Sequence, residues 1–355
     1  MIGLAPVMLL STLSAQATVE VEGVKMTVVD AHLHTLESPG DFNQAGKASI
    51  IRDLPAFVAP YYSAMSKHMD DPFAPALGIA DQMDWAGVDR AVLLAKYTHH
   101  TVGFATNRYI ESLISDPRNI TEDGTPRFYG MASIDLDDFE NLNFRALRLN
   151  ALSTYLEDPG FIGIKLAHAH QAVTFDDPVL DELYALAAEH RVPVVLHTGV
   201  SPFPGTKRDA RYTNPIGLEK TIARYSGLGE ERRVEFVLSH VGTADAAATT
   251  DSLYLASMYD NVWLEVSALS QDMIFGPEGE DSGVAGPQHP WILKRIIEMD
   301  LVERTIFATD GPQQPGMVRT YLNDIISSMQ AAGYSTDDMQ RVLSGSFYDC
   351  FGVHE

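Results

Sequence analysis

Apolar residues recur along this chain in short, mostly continuous runs, with longer segments of mixed polarity between them. Continuous apolar runs are typical of strands buried on both faces, as in a parallel sheet covered by helices. The pattern therefore predicts eight strands. They are Thr27–His34, Asp89–Ala95, Arg127–Asp135, Phe161–Ala167, Val192–Thr198, Val234–Val241, Val262–Ala268 and Arg304–Thr309.

The segments between these strands carry the periodicity of helices. The clearest helix runs from Pro178 to about His190, because Asp177 can cap its N-terminus and Pro178 suits its first position. The other predicted helices open at Asn214-Pro215 or run from Thr243 to about Tyr259, Trp291 to Met299, Met317 to Ala332 and Thr336 to Phe351. Eight strands with intervening helices predict an α/β fold, a (β/α)₈ TIM barrel, as one domain over residues 25–355.

Three connections are longer than a minimal barrel needs. Leu36–Met83 follows the first strand and is predicted to be a helical insertion, with helices around Pro55–Met69 and Gly78–Trp85. Pro202–Thr213 and Gln271–Pro290 are Gly/Pro-rich loops after the fifth and seventh strands. Long loops at the carboxyl ends of barrel strands commonly form the wall and lid of an active site. The first connection is equally a candidate for a contact in a homo-oligomer.

Residues 1–24 are predicted to lie outside the barrel domain. Residues 1–17 are uncharged and mostly apolar, and Ala15-Gln16-Ala17 matches the pattern of a signal-peptidase site, although a positive n-region is missing. This pattern predicts a signal peptide and a periplasmic or secreted protein. The alternative is a retained N-terminal extension on a cytoplasmic protein. The run is too short to span a bilayer as a mature helix, so we expect no membrane span.

Charge and cysteine content restrict the partners and the chemistry. Lys plus Arg number 25 and Asp plus Glu number 48, which leaves a formal charge of −23. That field repels phosphate backbones and anionic membranes, so we expect no nucleic-acid partner. The single cysteine, Cys350, excludes an intrachain disulfide and a cysteine-based zinc site. We expect it to pack in a helix rather than to act as a nucleophile.

Ligand-type residues recur at equivalent places in the predicted strands. His32 and His34 lie in the first run, and because side chains alternate along a strand, both are expected on one face. Further ionisable residues lie in the later runs, namely Lys165, His197 and His240, and Asp310 directly follows the last run. Each of these alone is more typical of a rim or turn residue. In a barrel, however, the carboxyl ends of the strands converge on one face, and their shared position predicts a metal site.

The motifs around these residues resemble those of a known family. They are Val-Asp-Ala-His-Leu-His, Gly-Ile-Lys-Leu, Val-Val-Leu-His-Thr-Gly, Phe-Val-Leu-Ser-His-Val-Gly and Phe-Ala-Thr-Asp-Gly-Pro. Together, from about Val28 to Gly352, they resemble the amidohydrolase superfamily, in particular the amidohydrolase-related (amidohydrolase 2) branch of TIM-barrel metal-dependent hydrolases. That branch also contains decarboxylases similar to aminocarboxymuconate-semialdehyde decarboxylase. The motifs jointly indicate the superfamily and do not indicate a substrate.

The resemblance implies a divalent metal, with zinc expected, and a role for each matching residue. His32 and His34 match the first-strand metal pair, and His197 matches the fifth-strand ligand. Asp310 matches a carboxylate that touches both the metal and the attacking water. His240 matches a histidine that is a second metal ligand in binuclear members and orients water or substrate in mononuclear ones.

Lys165 and several nearby residues leave their roles open. Lys165 stands where some members carry a carboxylated lysine that bridges two metals, and the alternative is a structural or substrate-binding lysine. After it, His168 and His170 form a second His-x-His motif, with metal, substrate-contact and rim roles all open. The pair His99-His100 leaves the same choices. Ser346 occupies a place where the family usually has Asn, which affects packing under the barrel more than chemistry.

The activity implied is hydrolysis of an ester, lactone or amide-type bond in a small substrate by metal-activated water. Asp310 is expected to move the proton as general base and acid, and His240 to help stabilise the oxyanion. The first alternative is a metal-dependent decarboxylase of an aromatic or unsaturated carboxylic acid. The second is a metal-binding barrel without catalysis. The loop after the fifth strand carries three cations, Lys207, Arg208 and Arg211. They are candidates for binding a substrate carboxylate, and the alternative is solvated charges or salt bridges to the acidic surface.

Overall fold

The structure is a computed structural model. It describes residues 16–35, 37, 71–75, 78–201, 203, 205–229, 232–269, 287–312 and 316–353. Its strands, in chain order, are β1 (Val19–Val21), β2 (Val24–Met26), β3 (Val29–Leu33), β4 (Arg90–Leu94), β5 (Lys96–Thr98), β6 (Gly103–Ala105), β7 (Phe128–Ser133), β8 (Phe161–Leu166), β9 (Val194–His197), β10 (Phe236–Ser239), β11 (Val262–Glu265) and β12 (Thr305–Ile306).

Eight of these strands form one parallel sheet in the order β3-β4-β7-β8-β9-β10-β11-β12. They lie within the eight predicted runs, so the predicted barrel is confirmed. The sheet closes because β3 meets the chain just beyond β12. The amide of Asp310 donates to the carbonyl of His32 at 3.0 Å, and the amide of His34 donates to Gly311 at 2.8 Å.

Helices cover the outside of the sheet. The described α-helices are α1 (Ile79–Ala86), α2 (Asn107–Ile114), α3 (Leu142–Leu156), α4 (His168–Gln171), α5 (Asp181–His190), α6 (Ala210–Thr213), α7 (Glu219–Arg224), α8 (Ala246–Met258), α9 (His289–Glu298), α10 (Met317–Ala332), α11 (Thr336–Gln340) and α12 (Ser346–Phe351). Helix α5 follows a 3₁₀ turn, Pro178–Leu180, which the Asp177 side chain caps through the amide of Val179. The predicted helix from Thr336 to Phe351 is divided by a π-helical turn at Arg341–Gly345.

Two apolar layers hold these elements together. The outer layer packs the barrel against its helices, and the inner layer fills the barrel with side chains such as Val29, Val92 and Val237. At the amino end of the strands, Phe347 and Cys350 of α12 close the inner layer. Cys350 is therefore buried packing, as its position in the sequence predicted.

Several predictions fall partly or wholly outside the described residues. Helix α1 corresponds to the predicted helix at Gly78–Trp85, whereas the predicted helix at Pro55–Met69 and most of the Gln271–Pro290 loop lie outside. Residues 1–15 also lie outside, so the predicted signal peptide stays a prediction. Ala17 is described, and its amide donates to the carbonyl of Asp84 in α1 at 2.8 Å. None of the described helices is long and apolar enough to cross a membrane.

Candidate active site

The predicted ligand residues lie at one rim of the barrel. His32 lies near the end of β3, His197 ends β9, His240 directly follows β10, and Asp310 lies four residues beyond β12. Because the sheet is parallel, these strand ends share one face. The histidine rings form an arc in which neighbouring centroids lie 5.0 Å apart for His34 and His32, 5.1 Å for His32 and His240, and 4.7 Å for His240 and His197.

Three donor atoms converge most closely at the centre of this rim. Nε2 of His32 and Nε2 of His34 are 3.3 Å apart, and each is 3.1 Å from Oδ1 of Asp310. The His32 side chain is 1% exposed, while those of His34 and Asp310 are 24% and 21% exposed. The two histidines lie side by side as the strand alternation predicted, although the β3 register shifts between Asp30 and Leu33. His34 and Asp310 therefore mark the side of the cluster that a small molecule can reach.

Asp310 is held as a carboxylate by its neighbours. Burial raises the pKa of the Asp310 carboxyl, but the interaction with His32 and the hydrogen bond with His34 outweigh it, so that this pKa lies below its ordinary value. Its backbone is in the left-handed region, with φ of 65°, which is uncommon outside glycine and typical of functional positions. An ionised carboxylate at this place accepts protons and binds cations.

Burial keeps three of the surrounding histidines, His34, His197 and His240, in the neutral form at neutral pH. Burial lowers the pKa of His34 to about 3 and that of His240 to about 4. Burial, followed by the interaction with His240, also lowers the pKa of His197 well below its ordinary value. Neutral imidazoles keep a lone pair, which is the form that binds a metal ion.

His240 is oriented by a residue on the neighbouring strand. Its Nδ1 lies 2.7 Å from the hydroxyl of Ser267, and the residue is 2% exposed. The backbone φ of His240 is 68°, again in the left-handed region. Because Nδ1 is engaged with Ser267, Nε2 is the nitrogen available to water, substrate or an ion.

His197 depends on a close approach between the loops after β9 and β10. Gly199 has φ of 84°, and a Cβ on it would lie 2.2 Å from the carbonyl oxygen of Thr243. Only glycine permits this approach, which keeps His197 beside His240. Within the described part of the chain, the buried Nε2 of His197 has no hydrogen-bond partner. An unpartnered buried nitrogen is unfavourable unless a ligand or an ion engages it.

Lys165 lies among these groups and is 4% exposed. Its ammonium donates to the hydroxyl of Ser239 at 3.0 Å. Burial lowers the Lys165 pKa to about 8, opposed by the charges of Glu265 and Asp310. The structure thus places Lys165 at the site, close enough to Glu265 and Asp310 for the charges of both carboxylates to act on it.

Three residues of the site were not predicted from the sequence. Glu265 ends β11, and its Oε2 lies 2.7 Å from Nδ1 of His32. Ser267 lies two residues further along the chain. Asp30 holds the end of β3 by accepting hydrogen bonds from Thr309 and from the amide of His32. A detectable signal existed for Glu265, because it is the one carboxylate inside the apolar run Val262–Ala268. Burial raises the pKa of Glu265, but the interactions with His32 outweigh it and lower the pKa to about 2.

The second His-x-His motif does not act as a pair. His168 and His170 lie in the helical turn α4 rather than in a strand, so their side chains diverge. His168 is fully buried, its Nδ1 donates to the carbonyl of Val173, and its ring packs on Phe175. His170 instead lies beside His197, with ring centroids 5.5 Å apart. Of the two, only His170 borders the site.

The other open candidates pair with other carboxylates or have exposed side chains. His100 is 70% exposed and pairs with Asp137, and His99 lies 3.7 Å from Asp135. Three cations in the loop after β9 have exposed side chains: Lys207, Arg208 and Arg211. Exposed charges of this kind fit solvated charges or salt bridges at the acidic surface better than a built anion site.

The donor set fits a divalent cation. Neighbouring ligands around an ion bound at about 2.0–2.2 Å lie roughly 3.3–3.6 Å apart in a tetrahedral site and roughly 2.8–3.1 Å apart at right angles. The His32, His34 and Asp310 atoms lie between these limits, 3.1–3.3 Å apart. In the described residues, two groups of three donors lie close enough to hold an ion: His32, His34 and Asp310; and His32, His240 and Glu265. His197 belongs to neither group, and its unpartnered Nε2 lies one ring further along the arc.

Known proteins share this fold and sequence pattern. The family model described as Amidohydrolase matches residues 29–345. A sequence search of curated proteins found no match. Among solved structures, an uncharacterized TIM-barrel protein from Bordetella bronchiseptica has 15% identity and a TM-score of 0.63, covering 92% of this chain and 99% of that chain.

Two further solved structures have printed activities. A probable 2-pyrone-4,6-dicarboxylic acid hydrolase from Acinetobacter baumannii has 14% identity and a TM-score of 0.54, covering 92% of this chain and 100% of that chain. A 5-carboxyvanillate decarboxylase from Sphingomonas paucimobilis has 16% identity and a TM-score of 0.56, covering 93% and 100%. At these identities the likeness shows the fold, and both hydrolases and decarboxylases are built on it.

Proposed function

The chain belongs to the amidohydrolase family, and from this premise we propose that it is a metal-dependent hydrolase of a small molecule. The bond cleaved is of the ester, lactone or amide type. The observation that carries the proposal is the convergence of His32 Nε2, His34 Nε2 and Asp310 Oδ1 within 3.3 Å of one another at the reachable side of the rim. Family membership agrees with an enzyme of this type.

His32, His34 and Asp310 would hold the cation, with His197 as a further ligand. Nitrogen and carboxylate donors in this combination suit Zn²⁺, which is our proposal for the metal. When bound, such a cation activates water and polarises a carbonyl group. Lys165 remains the candidate for a ligand shared with a second ion, and its bond to Ser239 supports the simpler role of balancing Glu265 and Asp310.

The chain's own groups would move the proton and support the developing charge. The ionised Asp310 carboxylate accepts a proton from water at the site and can return it to the leaving group. His240, with Nδ1 engaged by Ser267, presents Nε2 toward the same space and can hydrogen-bond a carbonyl oxygen. The buried walls of the rim limit water, which strengthens both interactions.

A decarboxylase is the second candidate, because solved structures of this fold include decarboxylases. In that reaction the same residues would bind a carboxylate group, and Asp310 or His240 would protonate the carbon that loses carbon dioxide. The two reactions differ in their products. Release of carbon dioxide from aromatic or unsaturated acids would support decarboxylation, and acid production from lactones or esters without carbon dioxide would support hydrolysis.

The decisive experiment measures bound metal by mass spectrometry on purified protein and then tests a panel of lactones, esters and aromatic acids. Asp310→Asn should reduce turnover by at least about a thousandfold, since it removes the proton-accepting group and replaces a charged ligand with a neutral amide. Circular dichroism should show an intact barrel. Retained activity in this variant would contradict the mechanism, and a folded metal-bound wild type without any turnover would favour the non-catalytic barrel.

We also propose export to the periplasm or the medium, supported by the apolar N-terminal run. Intact mass of the protein from a periplasmic fraction tests it. Cleavage after Ala17 would support export, and a full-length cytoplasmic chain would contradict it. Size-exclusion chromatography with light scattering would determine the oligomeric state.

A further inference from the structure

Two residues at the carboxyl end of strand β11 contact two different histidines of the site. Oε2 of Glu265 lies 2.7 Å from Nδ1 of His32, and the hydroxyl of Ser267 lies 2.7 Å from Nδ1 of His240. Glu265 and Ser267 are two residues apart. One short segment of the seventh barrel strand therefore reaches histidines on the first and the sixth strands.

The contact with Glu265 determines which His32 nitrogen carries the proton. An ionised carboxylate can only accept, so Nδ1 of His32 must donate to it. When a cation is bound, the ring keeps this Nδ1 proton and offers the lone pair of Nε2, which is the atom 3.1 Å from Asp310. Both side chains are 1% exposed, so water does not compete for this bond. The opposite tautomer would place N–H where an ion must bind.

Glu265 itself is engaged on both oxygens. Oε2 accepts from His32, and Oε1 accepts from the amide of Ser267 at 3.1 Å. A fully buried carboxylate with hydrogen bonds to both oxygens is better suited to orient a metal-binding histidine than to bind the metal ion itself. This argues that the group formed by His32, His240 and Glu265 is a supporting cluster and not a separate ion site.

Ser267 completes the arrangement. Its amide binds Glu265 and its hydroxyl binds His240, so a displacement of either histidine is resisted by the same turn of chain. Whichever atom donates in the serine contact, Nδ1 of His240 is engaged and Nε2 stays available.

We propose that Glu265 and Ser267 are the positioning residues of this centre, and that they orient His32 and His240 for ion and substrate. The proposal rests on the metal site of the proposed function. It assigns to the seventh strand a role distinct from that of the ligands. Removal of such an outer partner typically lowers metal affinity about 10–100-fold.

The test measures Zn²⁺ affinity of the full chain by competition with a chromophoric chelator. Glu265→Gln keeps the shape and an acceptor oxygen but removes the charge, and it should weaken Zn²⁺ binding about 10–100-fold. Glu235→Gln is the matched control, because Glu235 also accepts from an aromatic ring nitrogen, that of Trp263, but at the other end of the barrel. This control should bind within about threefold of wild type.

Ser267 is tested by a readout that does not depend on turnover. In the Zn²⁺-loaded protein, nitrogen NMR should show the His32 proton on Nδ1, and Ser267→Ala should change the His240 ring signals in the metal-free protein. Ser267→Thr keeps the hydroxyl and should restore them. Zn²⁺ affinity of Ser267→Ala should stay within about threefold of wild type, because His240 is outside the first donor group.

The outcomes separate this inference from the proposed function. A wild type that binds no divalent cation contradicts the proposed function. A wild type that binds Zn²⁺ together with a Glu265→Gln variant of equal affinity overturns the positioning role. If Glu265→Gln does not fold, Glu265→Asp is the substitute variant. Its shorter side chain moves the carboxylate away from His32 by one methylene, so Zn²⁺ binding should again weaken about 10–100-fold. In the Zn²⁺-loaded protein, a His32 ring without a proton on Nδ1 overturns the inference.

Discussion

The carboxylate of Asp30 accepts a hydrogen bond from the hydroxyl of Thr309 at 2.6 Å, although the two residues are 279 positions apart in the chain. The same carboxylate accepts from the amide of Thr309 at 3.0 Å and from the amide of His32 at 3.1 Å. Asp30 thus joins the end of the first strand to the segment after the last one. This contact brings the two first-strand histidines and Asp310 to the same level of the barrel.

Removing the Thr309 hydroxyl should destabilise the barrel. Thr309→Val leaves the buried Asp30 carboxylate without its shortest hydrogen bond and the amide of Gly311 without its acceptor. We expect a loss of about 1–3 kcal/mol in the free energy of unfolding. Urea denaturation followed by circular dichroism measures it. Thr309→Ser keeps the hydroxyl and should lose less than half as much; equal losses in both variants would show that the hydroxyl is not the cause.

Removal of divalent cations should lower the melting temperature. An ion that binds only the folded chain stabilises it by about 4 kcal/mol when its free concentration is a thousand times the dissociation constant. Dialysis against a chelator and re-addition of Zn²⁺, followed by thermal denaturation, tests this. Asp310→Asn removes one donor of the closest group and should show a smaller shift. Equal melting temperatures for the chelated and reloaded wild type would contradict a bound ion.

Acid should destabilise the protein in part through His168. Burial lowers its pKa from 6.5 to about 4, and its Nδ1–H is held by Val173, so protonation would place a second N–H in an apolar site. The unfolded chain takes up the proton first. The neutral His168 ring therefore contributes fully to the free energy of unfolding above about pH 6.5. This contribution, roughly 3 kcal/mol, is lost as the pH falls toward 4.

His168→Asn isolates this effect, since the amide nitrogen of Asn can still donate to Val173. Urea denaturation at several pH values should show a stability difference between the two proteins that narrows as the pH falls from about 6.5 to 4. A constant difference across this range would show that His168 does not contribute to acid sensitivity.

Gly199 should not tolerate a side chain. Its φ of 84° is unfavourable for other residues, and an added Cβ would lie 2.2 Å from the Thr243 carbonyl. Gly199→Ala should therefore destabilise by more than about 3 kcal/mol. Gly333→Ala is the control, because Gly333 has φ of 89° but open space around its Cβ position. It should lose only about 1 kcal/mol, and similar losses in both would show that the contact with Thr243 is not decisive.

The single thiol should be inert in the folded protein. Burial raises the pKa of Cys350 well above its ordinary value, and its side chain packs with Phe347 at the base of the barrel. The thiolate is the reactive form, so a disulfide reagent at about pH 8 should leave the native thiol unmodified. In concentrated guanidinium one thiol per chain should react. Rapid reaction under native conditions would contradict the burial.

Much of the fold and part of the site were predictable from the chain alone. A strand buried on both faces must be continuously apolar, and that requirement is visible in a few consecutive residues such as Val194–Leu196. An ionisable residue that closes such a run, as His197 and His240 do, stands out for the same local reason. The parallel sheet then implies that these ends meet.

Other features were decided only by the tertiary structure. The sequence motif at His168 and His170 reads as a second pair, but a helical turn separates the two side chains. Asp30, Glu265 and Ser267 act through partners on other strands, and a hydrogen bond near 3 Å depends on the register and closure of the whole sheet. The local sequence pattern determined which residues can form strands and which ionisable residues stand out at the ends of apolar runs. Which charge meets which histidine was decided by the closed barrel, because atoms must approach within an ångström-scale tolerance that no short stretch of chain specifies.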